Sequence, residues 1–179
     1  NIKPKTEHRF IFLCLKEHID KYNVDKKLSN WVQGCKIVNV ETVTEGAACT
    51  VLLAKKFINN NDSLMIANSD QWIDIDINDY LAEMNKQKAD GLIMTFNSSD
   101  PKWSYVKLDD KGNVIGTVEK QVVSNEATVG IYNFKRGKDF VEAAESMIAK
   151  NLRVNNEFYV APAYNEMINK KKKIVIYNI

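Results

Sequence analysis

The chain has 179 residues, 45% of them hydrophobic and 27% charged, which suits a single soluble domain with a core of its own. Its 25 basic and 23 acidic residues leave a formal charge of +2, too balanced for a protein that wraps nucleic acid with one basic face. The three cysteines, Cys14, Cys35 and Cys49, show no CxxC spacing, so neither a disulfide framework nor a zinc site is read from them, and free thiols in a reducing compartment are expected. No apolar run approaches the ~20 residues of a membrane span, and no signal peptide is visible. His8 and His18 lack a third ligand nearby and make a poor metal site.

The elements follow in chain order. Arg9 to Leu15 reads as a buried strand, Lys16 to Tyr22 and Val24 to Val32 as short helices, and Lys36 to Val40 as a second strand. After the turn at Glu45-Gly46, Ala47 to Ile58 reads as one helix with Ala48, Leu52, Ala54 and Phe57 as its apolar stripe. Asn59 to Asp62 is a loop. Leu64 to Ala67 is a strand, Asp76 to Lys88 a helix with Ile77, Leu81 and Met84 inward, and Leu92 to Phe96 another strand. Strands alternating with helices predict a parallel, doubly wound sheet. The pattern then changes. Ser104 to Leu108 and Val114 to Val118 alternate around the turn Asp109 to Gly112, which predicts a β-hairpin. Ala127 to Phe134 is a strand, Gly137 to Lys150 and Phe158 to Asn169 are helices, and Lys173 to Tyr177 is a last strand. The basic run Lys170 to Lys173 suits a solvated helix end. No internal repeat, low-complexity tract or linker is present.

Two stretches point to chemistry. The strand Leu64 to Ala67 ends abruptly in Asn68, Ser69 and Asp70. In open α/β sheets, ligands bind beyond the carboxyl ends of strands, and a carboxylate there can hold Mg²⁺ against a phosphate. Thr44 to Thr50 (Thr-Glu-Gly-Ala-Ala-Cys-Thr) is a small-residue turn feeding a helix, where backbone can come close to a ligand. Together they suggest a nucleotide site.

The ordered segments Thr44 to Thr50, Ile66 to Gln71, Trp103 to Leu108, Val118 to Lys120, Ala127 to Tyr132 and Val154 to Val160 resemble the sugar-1-phosphate nucleotidyltransferases, or nucleotide-sugar pyrophosphorylases, which share a core with GT-A glycosyltransferases. The chain is most similar to a bacterial capsule-locus branch. The resemblance implies an α/β, Rossmann-like (GT-A-type) fold: a mostly parallel central sheet flanked by helices, with a β-hairpin insertion. It implies a cytoplasmic enzyme that transfers a nucleoside monophosphate from a nucleoside triphosphate to a sugar or polyol phosphate, releases pyrophosphate, and serves surface polysaccharide synthesis; a GT-A glycosyltransferase using a nucleotide sugar and a non-catalytic domain of the same fold are the alternatives. Homo-oligomers are an option by analogy alone. By the resemblance, Glu45, Gly46 and Ala47 face the nucleobase, with Asn68 and Ser69 also at the nucleotide. Asp70 is a catalytic residue and binds Mg²⁺. Lys120, in the pair Glu119-Lys120, is catalytic and contacts the sugar phosphate. Gly130 packs on the sugar, Glu157 binds its hydroxyls, and Tyr105 belongs to the same substrate site. No GxGxxG, GxGxR or Walker A motif occurs. The expectation is therefore one domain, residues 1–179, truncated at both ends and weak in catalysis without the phosphate loop.

Each residue also has a plainer reading. Asp70 can cap its turn. Asp74-Ile-Asp76 spells a DxD, but Asp76 suits a helix N-cap better. Lys120 can be an ordinary strand-end lysine and Glu157 a first-turn acid. Trp72, Trp103 and Tyr105 offer a stacking surface or partly buried core. The glycine at position 46 can serve the turn alone.

Overall fold

A computed structural model describes residues 3–179. The first unit is a two-stranded parallel ladder, β1 (Ile11–Leu15) and β2 (Lys36–Val40), joined through α1 (Lys16–Tyr22) and α2 (Val24–Trp31). The expected single helix after Gly46 is two pieces, α3 (Ala47–Leu52) and α4 (Lys55–Ile58). The bonds Leu53 N to Thr50 O and Ala54 N to Val51 O tighten the chain to a three-residue repeat between them, which interrupts the helical ladder.

The larger sheet has six strands: β3 (Leu64–Ala67), β4 (Gly91–Asn97), β5 (Ser104–Leu108), β6 (Val114–Glu119), β7 (Glu126–Phe134) and β8 (Ile174–Asn178). They run in the order β6-β5-β7-β4-β8, with β3 also on β7. β4 and β8 are parallel, while β7 is antiparallel to β3, β4 and β5. The hairpin β5–β6 forms as the alternation predicts. The central sheet flanked by helices is thus as read, but it is mixed where a mostly parallel one is expected. After the hairpin the chain returns through the middle of the sheet, and a long-range pairing of that kind leaves no trace in local periodicity.

Alternation along the central strands explains the core. Leu92 and Met94 of β4, Val129 and Ile131 of β7 and Val175 of β8 pack with Ile77, Tyr80 and Met84 of α5 (Ile77–Lys86). The intervening Ile93, Tyr132, Phe134 and Ile174 pack with α6 (Gly137–Ala149) and α7 (Ala163–Asn169). Both faces are covered, so these strands read as continuous apolar runs. Phe134 stacks on Tyr164 with ring centroids 4.6 Å apart. Asp76 caps α5, its side chain accepting from Asn78 N, which is the cap role the sequence favours over a metal-binding DxD. The cap and a bond from Lys5 hold the Asp76 carboxyl down to about 2. α7 begins at Ala163, five residues later than expected, because Pro162 occupies its N-cap and the chain before it is drawn into a tight turn and a cavity wall. The three cysteines are free thiols. Among the described residues no helix is long and apolar enough to cross a membrane.

Candidate functional site

One edge of β7 carries two partners in succession. Ala127 pairs with Tyr105 of β5, and Ile131 to Phe134 pair with β3, while β4 runs along the opposite edge. The sheet therefore forks at Thr128 to Gly130. The β4–β7 register shifts at the same place, Ile93 facing Tyr132 and Thr95 facing Thr128, so β7 bulges there. Gly130 adopts φ +92°, and a Cβ on it would lie 2.6 Å from the Asn68 side-chain nitrogen. Asn68, the first residue beyond β3, closes the fork by donating its N–H to the Gly130 carbonyl at 3.0 Å. A cavity of about 150 Å³ lies here.

The hairpin supplies the charged wall. Alternation along β6 turns Thr117 and Glu119 inward, and the next residue of a regular strand would point away. Lys120 instead takes the left-handed φ +53°, uncommon for a residue with a side chain, and its N–H donates to the Trp103 carbonyl at 3.0 Å. Consecutive residues thereby reach one cavity. Glu119 is buried, and one carboxylate oxygen, Oε2, accepts from Ser104 Oγ at 2.6 Å. The other, Oε1, is buried with no hydrogen-bond partner. Burial raises the Glu119 pKa, opposed by the Ser104 hydrogen bond and the Lys120 charge. The Lys120 ammonium sits 5.6 Å from the centroid of the Tyr159 ring. On the floor, the Tyr132 and Thr128 hydroxyls are 3.1 Å apart, and burial drives the Tyr132 phenol far above its ordinary range, so it keeps its proton.

The opposite wall depends on a backbone clamp. Phe158 N–H donates to the Glu45 carbonyl at 2.8 Å, and Ala48 N–H to the Phe158 carbonyl at 2.9 Å. Gly46 lies between them at φ +128°, where a Cβ would come within 2.5 Å of the Phe158 backbone. Its lack of a side chain is thus required by this contact. Arg153 pairs with Glu45 at 2.5 Å and lies 4.4 Å above the Phe158 ring. The clamp sets Ala47, Tyr159 and Val160 into the wall.

Of the residues singled out in the sequence, Ala47, Asn68, Lys120 and Gly130 line the cavity. Ser69 and Asp70 are exposed on the loop between two lining residues, Asn68 and Gln71. Glu45 and Gly46 stand behind Ala47 in the clamp. Glu157 is exposed in the tight turn Val154–Glu157, beside Tyr159, and too far ahead of α7 to act as its first-turn acid. Tyr105 does not line the cavity: it is fully buried and its hydroxyl donates to the Asp100 carbonyl at 2.8 Å, while its neighbours Trp103 and Ser104 form the wall. Trp72 is 80% exposed, whereas Trp103 forms cavity wall and meets Phe96 edge-on at 5.3 Å. Glu119 is the residue whose weight sequence reading missed. A carboxylate at an inward position of an alternating strand is the pattern that marks it.

Among the described residues no three His, Cys, Asp or Glu side chains gather to hold a metal ion. The donor set fits Mg²⁺ only in the form in which a single carboxylate, Asp70, supplements phosphate and water oxygens. A larger open groove of about 480 Å³ lies elsewhere, between α1, α2 and β2, and includes none of the marked residues.

The fold has relatives. The chain covers 96% of itself and 73% of a nucleoside-diphosphate-sugar pyrophosphorylase from Vibrio cholerae RC9, with a TM-score of 0.79 and 28% identity. It covers 95% of itself and 72% of a UDP-glucose pyrophosphorylase complexed with UDP-glucose, with a TM-score of 0.70 and 16% identity. It also covers 95% of itself and 66% of the inositol-1-phosphate CTP transferase of T. maritima, with a TM-score of 0.65 and 11% identity. The last two likenesses are of fold alone. No curated protein sequence matches. The nucleotidyl transferase family model matches residues 6–173, nearly the whole length, and the chain belongs to the nucleotidyl transferase family.

Proposed function

We propose that this protein transfers a nucleoside monophosphate from a nucleoside triphosphate to a sugar or polyol phosphate. An oxygen of the acceptor phosphate attacks the α-phosphorus, the bond to the β-phosphate oxygen breaks, and pyrophosphate leaves. The observation that carries this reading is the delivery of Glu119 and Lys120 into one cavity by the left-handed backbone at Lys120. An ammonium on the cavity wall suits a phosphate, and an unpartnered carboxylate oxygen suits a hydroxyl. Such a transfer needs positioning and neutralised charge more than acid–base chemistry.

Lys120 binds the acceptor phosphate, Glu119 a hydroxyl, and Gly130 lets the ring approach the fork, with Glu157 at the rim. The turn Glu45-Gly46-Ala47 and Asn68-Ser69 hold the nucleotide. Asp70 would hold Mg²⁺, which supplies charge neutralisation at the phosphates when bound. Glycosyl transfer through the Asp74/Asp76 pair has less support, since Asp76 is engaged as a helix cap and by Lys5 at 3.1 Å. A cytoplasmic role in surface polysaccharide synthesis follows from the resemblance.

The test is pyrophosphate release by the full-length protein, scanned over nucleoside triphosphates and sugar or polyol phosphates with Mg²⁺. One productive pair, lost in Asp70→Ala and Lys120→Ala, is expected. Consumption of a nucleotide sugar with release of a nucleoside diphosphate, and no pyrophosphate from any pair, would sink the reading.

A further inference from the structure

We propose that Ser104 is a positioning residue, whose hydroxyl fixes one oxygen of the Glu119 carboxylate so that the other is free to accept from a hydroxyl of the bound sugar or polyol phosphate. The assignment of the ligand rests on the function proposed above; the orientation of Glu119 does not.

Three observations combine. Ser104 Oγ and Glu119 Oε2 are 2.6 Å apart, a short distance of the kind made to an ionised carboxylate. Both residues line the cavity. Glu119 Oε1 is buried and unpartnered, a costly arrangement that a ligand donor would relieve. The hairpin register explains the pairing, since Ser104 and Glu119 are directly opposed across β5 and β6. Around the carboxylate stand Ser104 from β5, Lys120 from just past β6 and the neutral Tyr132 from β7, whose phenol also meets Ser104. Lys120 brings a positive charge to Glu119, while Lys102, which also lines the cavity, is paired with Asp100 at 3.0 Å. Ser104 is therefore the hydrogen-bond donor that keeps Glu119 an acceptor against its burial.

The experiment has two arms on the full-length protein. The first follows the Glu119 side-chain carboxyl by NMR through a pH titration in the wild type, Ser104→Ala and Ser104→Thr. The midpoint is expected to move to higher pH in the alanine variant and to return in the threonine variant, which restores the hydroxyl. An unmoved midpoint in a folded Ser104→Ala protein overturns the proposal. The second arm measures binding of a panel of sugar 1-phosphates. Ser104→Ala should weaken the best of them about tenfold, the scale of one hydrogen bond to a charged group, with a steeper loss toward acid pH and rescue by threonine. Equal weakening at every pH and in both variants would mean a packing role only and also overturns the proposal. If no sugar phosphate binds the wild type while the midpoint still moves, the orientation of Glu119 by Ser104 stands and the assigned ligand falls.

Discussion

Two hollows in this molecule each hold a buried carboxylate oxygen without a partner, and each is also lined by a lysine and a serine, but they differ in how those groups are fixed. In the groove beside α2 the oxygen is Asp25 Oδ1, on a short helix whose described residues are all at least partly exposed. In the fork of the sheet it is Glu119 Oε1, in a cavity one third as large. Among the described residues, only the second has a short hydrogen bond orienting the carboxylate, a phenol on its floor, and a lining backbone bent against its preference to bring an ammonium to the same wall. Volume ranks the groove first. Preorganised chemistry ranks the fork first, and preorganised groups are what reactions use.

Variants can break or sharpen that contrast. The largest difference is expected in turnover. Lys120→Ala should lower kcat/KM for the sugar or polyol phosphate by about 10²–10³, the usual cost of losing one positioned charge-stabilising donor, whereas Asp25→Asn should leave it within about twofold. A comparable loss from Asp25→Asn would move the site to the groove. The clamp comes next. Gly46→Ala must place a methyl against the Phe158 backbone at an unfavourable φ, and denaturant unfolding should show a loss of about 2–4 kcal/mol. Gly130→Ala meets the movable Asn68 side chain instead, so its stability loss should be smaller, about 1–2 kcal/mol, with a larger share of the damage in ligand binding.

Glu119→Gln should change stability in the opposite sense. Burial makes the folded carboxyl hold its proton to higher pH than the unfolded one does. The folded state binds more protons in that window, so stability falls as pH rises through it and the charge stays a liability above it. The glutamine variant should therefore melt at a higher temperature near neutral pH, and the gain should vanish below about pH 4, where both states carry a neutral side chain. A lower melting temperature at neutral pH would mean that the charged form is the better satisfied one. The smallest effect belongs to Tyr105→Phe. Losing the bond to Asp100 should cost about 1 kcal/mol in denaturant unfolding and leave substrate KM unchanged, as befits a residue outside the cavity.

Most elements were legible because their periodicity is local. The apolar runs of β4 and β7, the alternation of the hairpin and the Asp76 cap all announce themselves within a few residues. What escaped is set at a distance. Nothing near Ala127 to Phe134 says that this strand runs antiparallel through the centre and carries β5 and β3 on one edge. Nothing between Ala47 and Ile58 announces the tightened turn that splits the helix. The same holds for the site. Lys120, Gly130, Asn68 and Ala47 were marked through ordered motifs, and the cavity gathers them. Tyr105 sits buried outside the cavity lining, and the weight of Glu119 is hidden because its burial and its Ser104 partner are properties of the closed hairpin.

The clamp between Glu45, Gly46 and Phe158 has a kinetic side. It joins an early turn to a segment near the other end of the sequence, so closing it means closing one of the longest loops in the chain. The hairpin and the apolar sheet share no residue with the clamp, and the bonds of Thr117 to Ala161 and Asn165 hold the Tyr159 segment from its other side. A chain whose strands are intact but whose long loop is open lacks the wall formed by Ala47, and it should bind the ligand weakly.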